Sequence, residues 1–145
     1  MGKIILVTFL LTLSLVNAQD WKTKFENATE QAVLEDKPIL LVFSGSDWCG
    51  PCIKLDKNVW QSDLFKKKYS KSWVLLKADF PKKKANQLSP KVTENNNMLA
   101  EKYNKDGNFP LVVMLDKTGK VLGKMGFVNL EAEDYLMLLQ NMVKK

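Results

Sequence analysis

The only two cysteines of the chain, Cys49 and Cys52, lie three residues apart, between a predicted strand and a predicted helix. Two cysteines placed at random would take that spacing about once in seventy placements, so chance explains it poorly. The apolar run 39–43 predicts a buried strand, and the polar residues 44–47 predict a turn. Helical spacing begins at the cysteines. A strand, a turn and a helix that begins with two cysteines predict a thiol–disulfide exchange site.

The predicted helix start assigns different roles to the two cysteines. The thiolate is the attacking species in disulfide exchange, and a helix N-terminus favours negative charge through its unpaired N–H groups and its dipole. Cys49, at or just before the first helical residue, is therefore predicted to be the nucleophile that attacks a substrate disulfide. Cys52, one helical turn later on the same side, is predicted to resolve the mixed disulfide.

Three neighbours of the cysteines are candidate supporting residues. Pro51 fits an early helical position, where its missing N–H costs nothing and its φ is already suitable. Gly50 allows another backbone to approach closely. Trp48 is predicted either to cover one side of the sulfurs or to pack against the rest of the fold.

A purely structural disulfide is the alternative use of such a pair in an oxidising compartment. A bridge between Cys49 and Cys52 closes a very short loop, so it would constrain the unfolded chain little. The sequence contains no histidine, which excludes a cysteine–histidine nucleophile and any histidine-containing metal site. These points favour the exchange site.

The chain resembles the thioredoxin family over most of its length. Besides the Trp-Cys-Gly-Pro-Cys motif at 48–52, a Gly-Asn-Phe-Pro sequence at 107–110 precedes a strand-like run at 111–115, a turn and a second strand-like run. The resemblance implies that Pro110 is cis and faces the cysteine pair. It also implies that the backbone before this proline, at Phe109, is free to pair with a substrate strand.

The fold implied by the resemblance is an α/β thioredoxin fold, with a central mixed β-sheet flanked by helices. Apolar residues from Trp21 to Val33 recur at helical spacing and predict an extra N-terminal helix. The predicted order is a helix at 20–35 with Asp20 as its N-cap, a strand at 39–43, a helical region from Cys49 with breaks near Asn58 and Ser62, a strand at 73–79, a helix at 97–103, the hairpin after Pro110, and a closing helix at 130–143.

The segment 80–97 forms an insertion before the predicted cis-proline. It leaves the carboxyl end of a strand, the side of an open α/β sheet where binding sites gather. We expect either a loop that recognises substrates or partners beside the cysteines, or a surface insertion that is tolerated because loop length costs little. The composition of the segment does not separate these alternatives.

The chain departs from the family in its acidic residues. Thioredoxins carry a buried aspartate on the strand before the motif, which helps to move protons at the second cysteine, and the strand 39–43 has no acid. Asp47 and Asp56 are close in sequence but are predicted to face solvent. The group that accepts the proton of Cys52 is therefore unassigned, with water or another carboxylate as candidates.

Residues 1–18 are predicted to be a cleaved signal peptide. Lys3 gives a positive start, and the apolar stretch from Ile4 to Val16 is too short to span a membrane comfortably. Small residues then precede a cleavage position after Ala18. Residues 19–145 would remain as a single exported domain, periplasmic or otherwise outside the cytoplasm. That length has no room for a separate dimerisation domain, so we expect a monomer.

The net charge is +6, and the densest basic runs are the lysines at 66–68 and 82–84. A nucleic-acid site would interleave such lysines with aromatic residues or glycine-rich loops, which these runs lack, so no nucleic-acid partner is expected. Solvated faces are the favoured interpretation, and contact with an acidic partner or an envelope surface is the alternative.

The motifs together are similar to those of a subgroup of exported bacterial thioredoxin-like disulfide reductases and isomerases. The resemblance implies that the Cys49–Cys52 pair reduces or isomerises disulfides in exported proteins, with electrons from a membrane partner and no cofactor. The Gly-Pro dipeptide favours reduction, since thioredoxin has the same dipeptide and a reduction potential of about −270 mV. Phe109 is bulkier than the residue usual in the family, which leaves the potential open.

Two other functions remain as alternatives. The domain would be a non-catalytic module that binds unfolded clients, or the two thiolates would bind a soft metal ion. The second alternative lacks further ligands, because the methionines at 98, 114, 125, 137 and 142 are spaced as core residues. No metal site is therefore expected.

Overall fold

The computed structural model describes residues 19–144, and the predicted signal peptide at 1–18 lies outside the described residues. The strands are β1 (Trp21–Lys22), β2 (Ile39–Ser44), β3 (Val74–Asp79), β4 (Leu111–Leu115) and β5 (Val121–Met125). They form one sheet in the order β1–β3–β2–β4–β5. β1, β3 and β2 are parallel, whereas β4 is antiparallel to both β2 and β5. The predicted central mixed sheet is confirmed.

The helices cover both faces of this sheet. They are α1 (Phe25–Glu35), α2 (Gly50–Leu55), α3 (Ser70–Ser72), α4 (Pro90–Tyr103) and α5 (Ala132–Val143). α2 continues into a wider, π-type turn at Asp56–Trp60, and a second such turn at Phe65–Tyr69 leads into α3. One hydrophobic cluster joins the sheet to α1 and α4, and another joins it to α2, the π-type turns and α5. No helix within 19–144 is long and apolar enough to cross a membrane.

The N-terminal helix is shorter than predicted, because the chain first forms β1. Trp21 pairs with Leu75 in the sheet, and its ring lies 6.1 Å from that of Phe65 in the core. Lys24, not Asp20, occupies the N-cap position of α1. An aromatic side chain stabilises a half-buried strand as readily as a helix face, so the apolar spacing at Trp21 did not distinguish the two.

The helical region after the cysteines has one of its two predicted breaks. The break near Ser62 is confirmed, since a turn follows Trp60. The break near Asn58 is wrong, because the backbone stays helical through the π-type turn. Leu55, Val59 and Trp60 are all buried against the sheet, and their packing outweighs the low helix propensity of asparagine.

α4 begins at Pro90, seven residues before the predicted start at 97. Ser89 caps it by accepting the Val92 N–H at 3.4 Å, and Pro90 occupies the first turn. Two buried asparagines, Asn95 and Asn96, bond to backbone carbonyls outside the helix, so a polar stretch that suggested a loop is a packed helix face. About half of the predicted insertion is therefore helical.

Three apolar residues that the sequence placed in the core are exposed in the structure. Val33 is 60% exposed on α1, although its spacing suggested an inward face. Met98 and Met137 are exposed on α4 and α5, whereas Met114 is fully buried in β4. The core prediction for the methionines is therefore wrong for Met98 and Met137. It holds for Met114, and the partly buried Met125 and Met142 also pack against the core. Helical spacing marks a face but does not say how far the neighbouring elements cover it.

The hairpin after the proline has the predicted form. The Phe109–Pro110 peptide bond is cis, as the family resemblance implied. β4 follows directly and pairs with β5, with an irregularity between Met114 and Leu115. At the turn, Gly119 has a φ of 88°, which favours glycine. The closing helix packs Tyr135, Leu136 and Leu139 into the core as predicted.

Candidate active site

The cysteine pair lies where the turn after β2 meets α2. The Cys49 and Cys52 sulfurs form a disulfide of 2.08 Å with a Cα–Cα distance of 5.2 Å. Cys49 is 5% exposed and Cys52 is 3% exposed. Both cysteines are thus at the helix start that their spacing predicted, and the partner sulfur is already bonded.

A backbone N–H lies close to each sulfur, one from the helix start and one from the turn after β2. Cys49 is the N-cap of α2, and its Sγ accepts the backbone N–H of Cys52 at 3.3 Å. The Gly45 N–H lies 3.5 Å from the Cys52 Sγ. Because such donors favour negative charge on sulfur, the geometry suits a thiolate at Cys49.

Gly50 and Pro51 occupy the first turn of α2 as predicted. Pro51 needs no N–H partner there. A side chain at Gly50 would meet no atom within 4 Å, so the surface over the disulfide is open at this residue. That opening is consistent with the predicted close approach of another backbone.

The Trp48 side chain packs against the neighbouring loops rather than extending into solvent. Its indole N–H donates to the Phe80 carbonyl at 2.7 Å, and its ring meets that of Phe109 edge-on at 5.5 Å. The ring centres of Phe80 and Phe109 are 5.4 Å apart. Trp48 is still 38% exposed. Trp48 therefore has the predicted packing role. Together with Phe80 it forms an aromatic cluster that connects the residue before Cys49 to Phe109, the residue before the cis-proline.

Asn104 holds the chain that leads to Pro110. Its side chain is 5% exposed; its amide donates to the Asn108 carbonyl and its oxygen accepts the Asn108 N–H, both at 2.9 Å. Pro110 is buried and Phe109 half-buried at the end of this segment. Sequence reasoning missed Asn104. Its position at the end of a helix, four residues before a motif residue, is the only signal available.

Asp47 lies at the surface, as predicted, and its carboxylate also fastens the residues after β3 to the active-site turn. Its carboxylate accepts the backbone N–H of Lys82 at 2.9 Å, that of Lys83 at 3.0 Å and the side-chain amide of Asn86 at 3.0 Å. These bonds hold the pKa of Asp47 below its ordinary value, and the bond from the Lys82 N–H has the largest effect. We call residues 80–87 the flanking segment.

The flanking segment places a positive charge over Trp48, the residue before Cys49. The Lys82 Nζ lies 3.9 Å from the centre of the Trp48 ring, a cation–π contact. The adjacent turn is also tied to β3, because the Ser46 N–H donates to the Asp79 carboxylate at 2.9 Å. The early part of the predicted insertion is therefore built into the wall of the site.

Asp56 is partly exposed to solvent, in line with its prediction, but it also borders Cys52. It lines a cavity of about 150 Å³ that reaches Cys52, and its carboxylate lies 3.7 Å from the Lys77 Nζ of β3. The Asp56 side chain is 42% exposed and the Lys77 side chain 30%. The other residues that line this cavity are Ser44, Ser46 and Ile53.

The mixed sheet, the cysteine pair at a helix start and the cis-proline before β4 are the marks of a thioredoxin-type protein. A family model described as thioredoxin-like matches residues 20–117. The chain belongs to that thioredoxin-like family, which confirms the resemblance drawn from the sequence.

Named relatives agree with this assignment. The chain is 36% identical over 107 residues to a protein of Chlamydia pneumoniae named disulfide bond reductase DsbH, an alignment that covers 74% of this chain and 62% of the relative. It is 26% identical over 132 residues to the thioredoxin-related protein DsbJ of the same organism, covering 84% of this chain and 37% of that protein. The chain therefore spans less than two thirds of either curated relative.

A solved structure extends the likeness over the whole domain. A DsbH oxidoreductase structure matches with a TM-score of 0.80 and 30% identity, covering 99% of this chain and 95% of that one. The element order and the strand pairing described above are therefore those of a known thioredoxin-type oxidoreductase fold.

Proposed function

We propose that the protein is a thiol–disulfide oxidoreductase that reduces or isomerises disulfides in exported proteins. The observation that carries this proposal is the Cys49–Cys52 disulfide at the start of α2, with a backbone N–H directed at the Cys49 sulfur. Similarity to a protein named as a disulfide bond reductase supports it.

In the proposed reaction the Cys49 thiolate attacks one sulfur of a client disulfide. A new S–S bond forms to Cys49, the client bond breaks, and the other client sulfur leaves as a thiolate. The Cys52 thiolate then attacks the Cys49 sulfur, which forms the intramolecular disulfide and releases the second client thiolate. The client gains two electrons and the protein loses two. In isomerisation a client thiolate performs the second attack and Cys52 stays reduced.

The wider setting of this reaction is also a proposal. The positive start, apolar stretch and small residues of 1–18 support export, and residues 19–145 would then act as a monomer outside the cytoplasm. An oxidising compartment does not supply electrons, so a membrane protein is the proposed source that reduces the Cys49–Cys52 disulfide after each turnover.

The flanking segment supports a role in client recognition. Asp47 fixes its backbone beside the cysteines, and Lys82 adds positive charge above Trp48. We propose that clients with acidic residues near their disulfides contact this segment, because opposite charges speed encounter and orient the partners. This favours the recognition role over a tolerated surface insertion.

The first test is the equilibrium reduction potential of the Cys49–Cys52 pair against glutathione. A value near or below about −250 mV is expected and would make the protein a reductant with a dedicated electron source. A value above about −180 mV would make it an isomerase or an oxidant, and the inference from the Gly-Pro dipeptide would be wrong. If a variant with both cysteines replaced by serine kept its function in cells, the non-catalytic client-binding module would be favoured.

A further inference from the structure

Cys52 must lose a proton during turnover although it is almost fully buried. A cysteine attacks a disulfide only as the thiolate, so the Cys52 thiol of the reduced protein has to give up its proton before or during the attack. Its 3% exposure leaves little direct contact with solvent. A group that accepts the proton should therefore lie beside a space that reaches its sulfur.

The cavity behind Cys52 is such a space. It has a volume of about 150 Å³, and the residues that line it include Cys52, Asp56 and Lys77. That volume holds several water molecules, and the serine hydroxyls and charged groups of the wall offer them hydrogen-bond partners. Among the lining residues Asp56 is the carboxylate.

The fold places the Asp56 carboxylate at this cavity by two constraints. Asp56 follows Cys52 by one helical turn, and its backbone N–H bonds to the Cys52 carbonyl, so the two side chains project from one face of the helix. From the sheet, Lys77 holds the carboxylate at 3.7 Å while its ammonium lies 4.7 Å from the centre of the Trp21 ring. The Trp21 ring therefore fixes the Lys77 ammonium, and the ammonium in turn positions the Asp56 carboxylate.

The remaining groups around the cavity do not compete for this role. Ser44, Ser46 and Ile53 carry no charge. Asp79, two residues after Lys77, accepts the N–H and the hydroxyl of Ser46. Asp47 is occupied by three donors from the flanking segment, and these lower its pKa.

We propose that Asp56 is the general base that accepts the Cys52 proton, through water in this cavity, while the mixed disulfide is resolved, and that Lys77 is its positioning residue. The proposal rests on the proposed function. The Cys52 S–H bond breaks as its proton passes to the Asp56 carboxylate, and the sulfur electron pair forms the bond to the Cys49 sulfur. The bond between Cys49 and the client breaks, and the client sulfur leaves as a thiolate. The Asp56 proton returns to solvent or to that thiolate.

The test uses 5,5′-dithiobis(2-nitrobenzoate) and the reduced protein in rapid mixing. The first coloured thiolate is released when Cys49 attacks, and the second is released when Cys52 resolves the mixed disulfide. For Asp56→Asn we expect the second release to slow at least about tenfold at neutral pH, with the first changed less than about twofold. Its rate should also rise more steeply between about pH 6 and pH 8 than in the original protein, because hydroxide replaces the carboxylate.

Two further variants complete the experiment. Asp56→Glu keeps a carboxylate and should restore much of the second rate. Asp63→Asn is the matched control, because the exposed Asp63–Lys67 pair has a similar separation of 3.6 Å and lies outside the cavity; both releases should be unchanged. An Asp56→Asn protein that resolves within about twofold of the original, with the same pH dependence, would overturn the proposal.

Failure of the wider function would give a different result. If the original protein releases both coloured thiolates but reduces no protein disulfide, the proposed function fails. The role of Asp56 is then still decided by the Asp56→Asn comparison, since resolution within the molecule needs no client.

Discussion

Cys49 and Cys52 share one disulfide, but different atoms surround their two sulfurs. The Cys49 sulfur accepts the N–H of Cys52 at the start of α2, and the adjacent Gly50 leaves the surface open. The Cys52 sulfur faces the Gly45 N–H and the cavity that Asp56 lines. A client disulfide can therefore approach Cys49, whereas Cys52 is placed to attack only the bond that forms there.

This asymmetry predicts opposite results for the two single serine variants. Cys52→Ser retains the nucleophile and loses the resolving thiol, so it should accumulate a covalent complex with a disulfide-containing client. Cys49→Ser should trap little, because the remaining sulfur faces the Gly45 N–H and the cavity behind it rather than the open surface at Gly50. Non-reducing electrophoresis and mass spectrometry of the complexes measure the difference. Equal trapping by both variants would contradict the assigned roles.

At the scale of elements, one carboxylate couples the active-site turn to the flanking segment. The turn after β2 supplies Asp47, and the segment after β3 supplies two backbone N–H groups and the Asn86 amide. Because β2 and β3 are parallel neighbours, both connections leave the same edge of the sheet. Asp47 thus holds the backbone of Lys82 and Lys83 against the active-site turn, so the order of this stretch depends on a charged group.

That dependence predicts a pH effect at the flanking segment. The pKa of Asp47 is lowered in the fold from its ordinary 3.8, so its contribution is fully present above that value and is lost as the pH falls through the folded pKa. We expect the protection of the Lys82 and Lys83 amides against hydrogen exchange to fall in acid. Asp47→Ala should remove this protection already at neutral pH.

The matched control for this measurement is Asp63→Ala, since Asp63 is an exposed carboxylate outside the active-site turn. It should leave the two amides as protected as in the original protein. Amides of Asp47→Ala that stay protected at neutral pH would show that other contacts order the segment.

The lysines of the flanking segment predict a preference among clients. Replacing Lys82, Lys83 and Lys84 by serine should raise KM for clients with acidic residues near the disulfide several-fold at low salt. The difference should shrink as salt screens the charges. Turnover of the uncharged hydroxyethyl disulfide should be unchanged, because it makes no such contact. The same change with Lys66, Lys67 and Lys68 replaced is the control, and an equal effect from both would argue against local recognition.

The sequence was sufficient for the local features of the site and insufficient for its contacts. The helix start at the cysteines and the hairpin after Pro110 follow from short-range patterns, and both are confirmed. The partners of Asp47 and Asp56 could not be predicted, because Lys82 and Lys77 reach them across the sheet connections. The burial of Asn96 in α4 could not be predicted either, because the Asp79 carbonyl to which its side chain donates at 2.9 Å lies 17 residues earlier in the sequence.

Across the whole molecule, the sheet carries the site on a core that is packed on both faces. α2 bears the cysteines on one face, where Leu55 and Trp60 anchor it, and α4 with α1 covers the other. β2 and β4 belong to both clusters through alternate residues. Loosening one face should therefore weaken the other, and the 19–145 region should unfold as the single domain predicted from the sequence.

Trp60→Ala tests that coupling. The Trp60 ring is buried and packs against Trp21, Phe65 and Tyr135 at 5.1 to 6.1 Å between ring centres. Its loss should lower the free energy of unfolding by about 3–5 kcal/mol. Urea unfolding followed by circular dichroism and by fluorescence should give one coincident transition for both proteins. Val33→Ala, at an exposed position on the opposite face, should change the free energy by less than about 0.5 kcal/mol. Two separated transitions would mean that the faces unfold independently, and that α2 can lose its packing, and with it the cysteine geometry, while α1 and α4 remain folded.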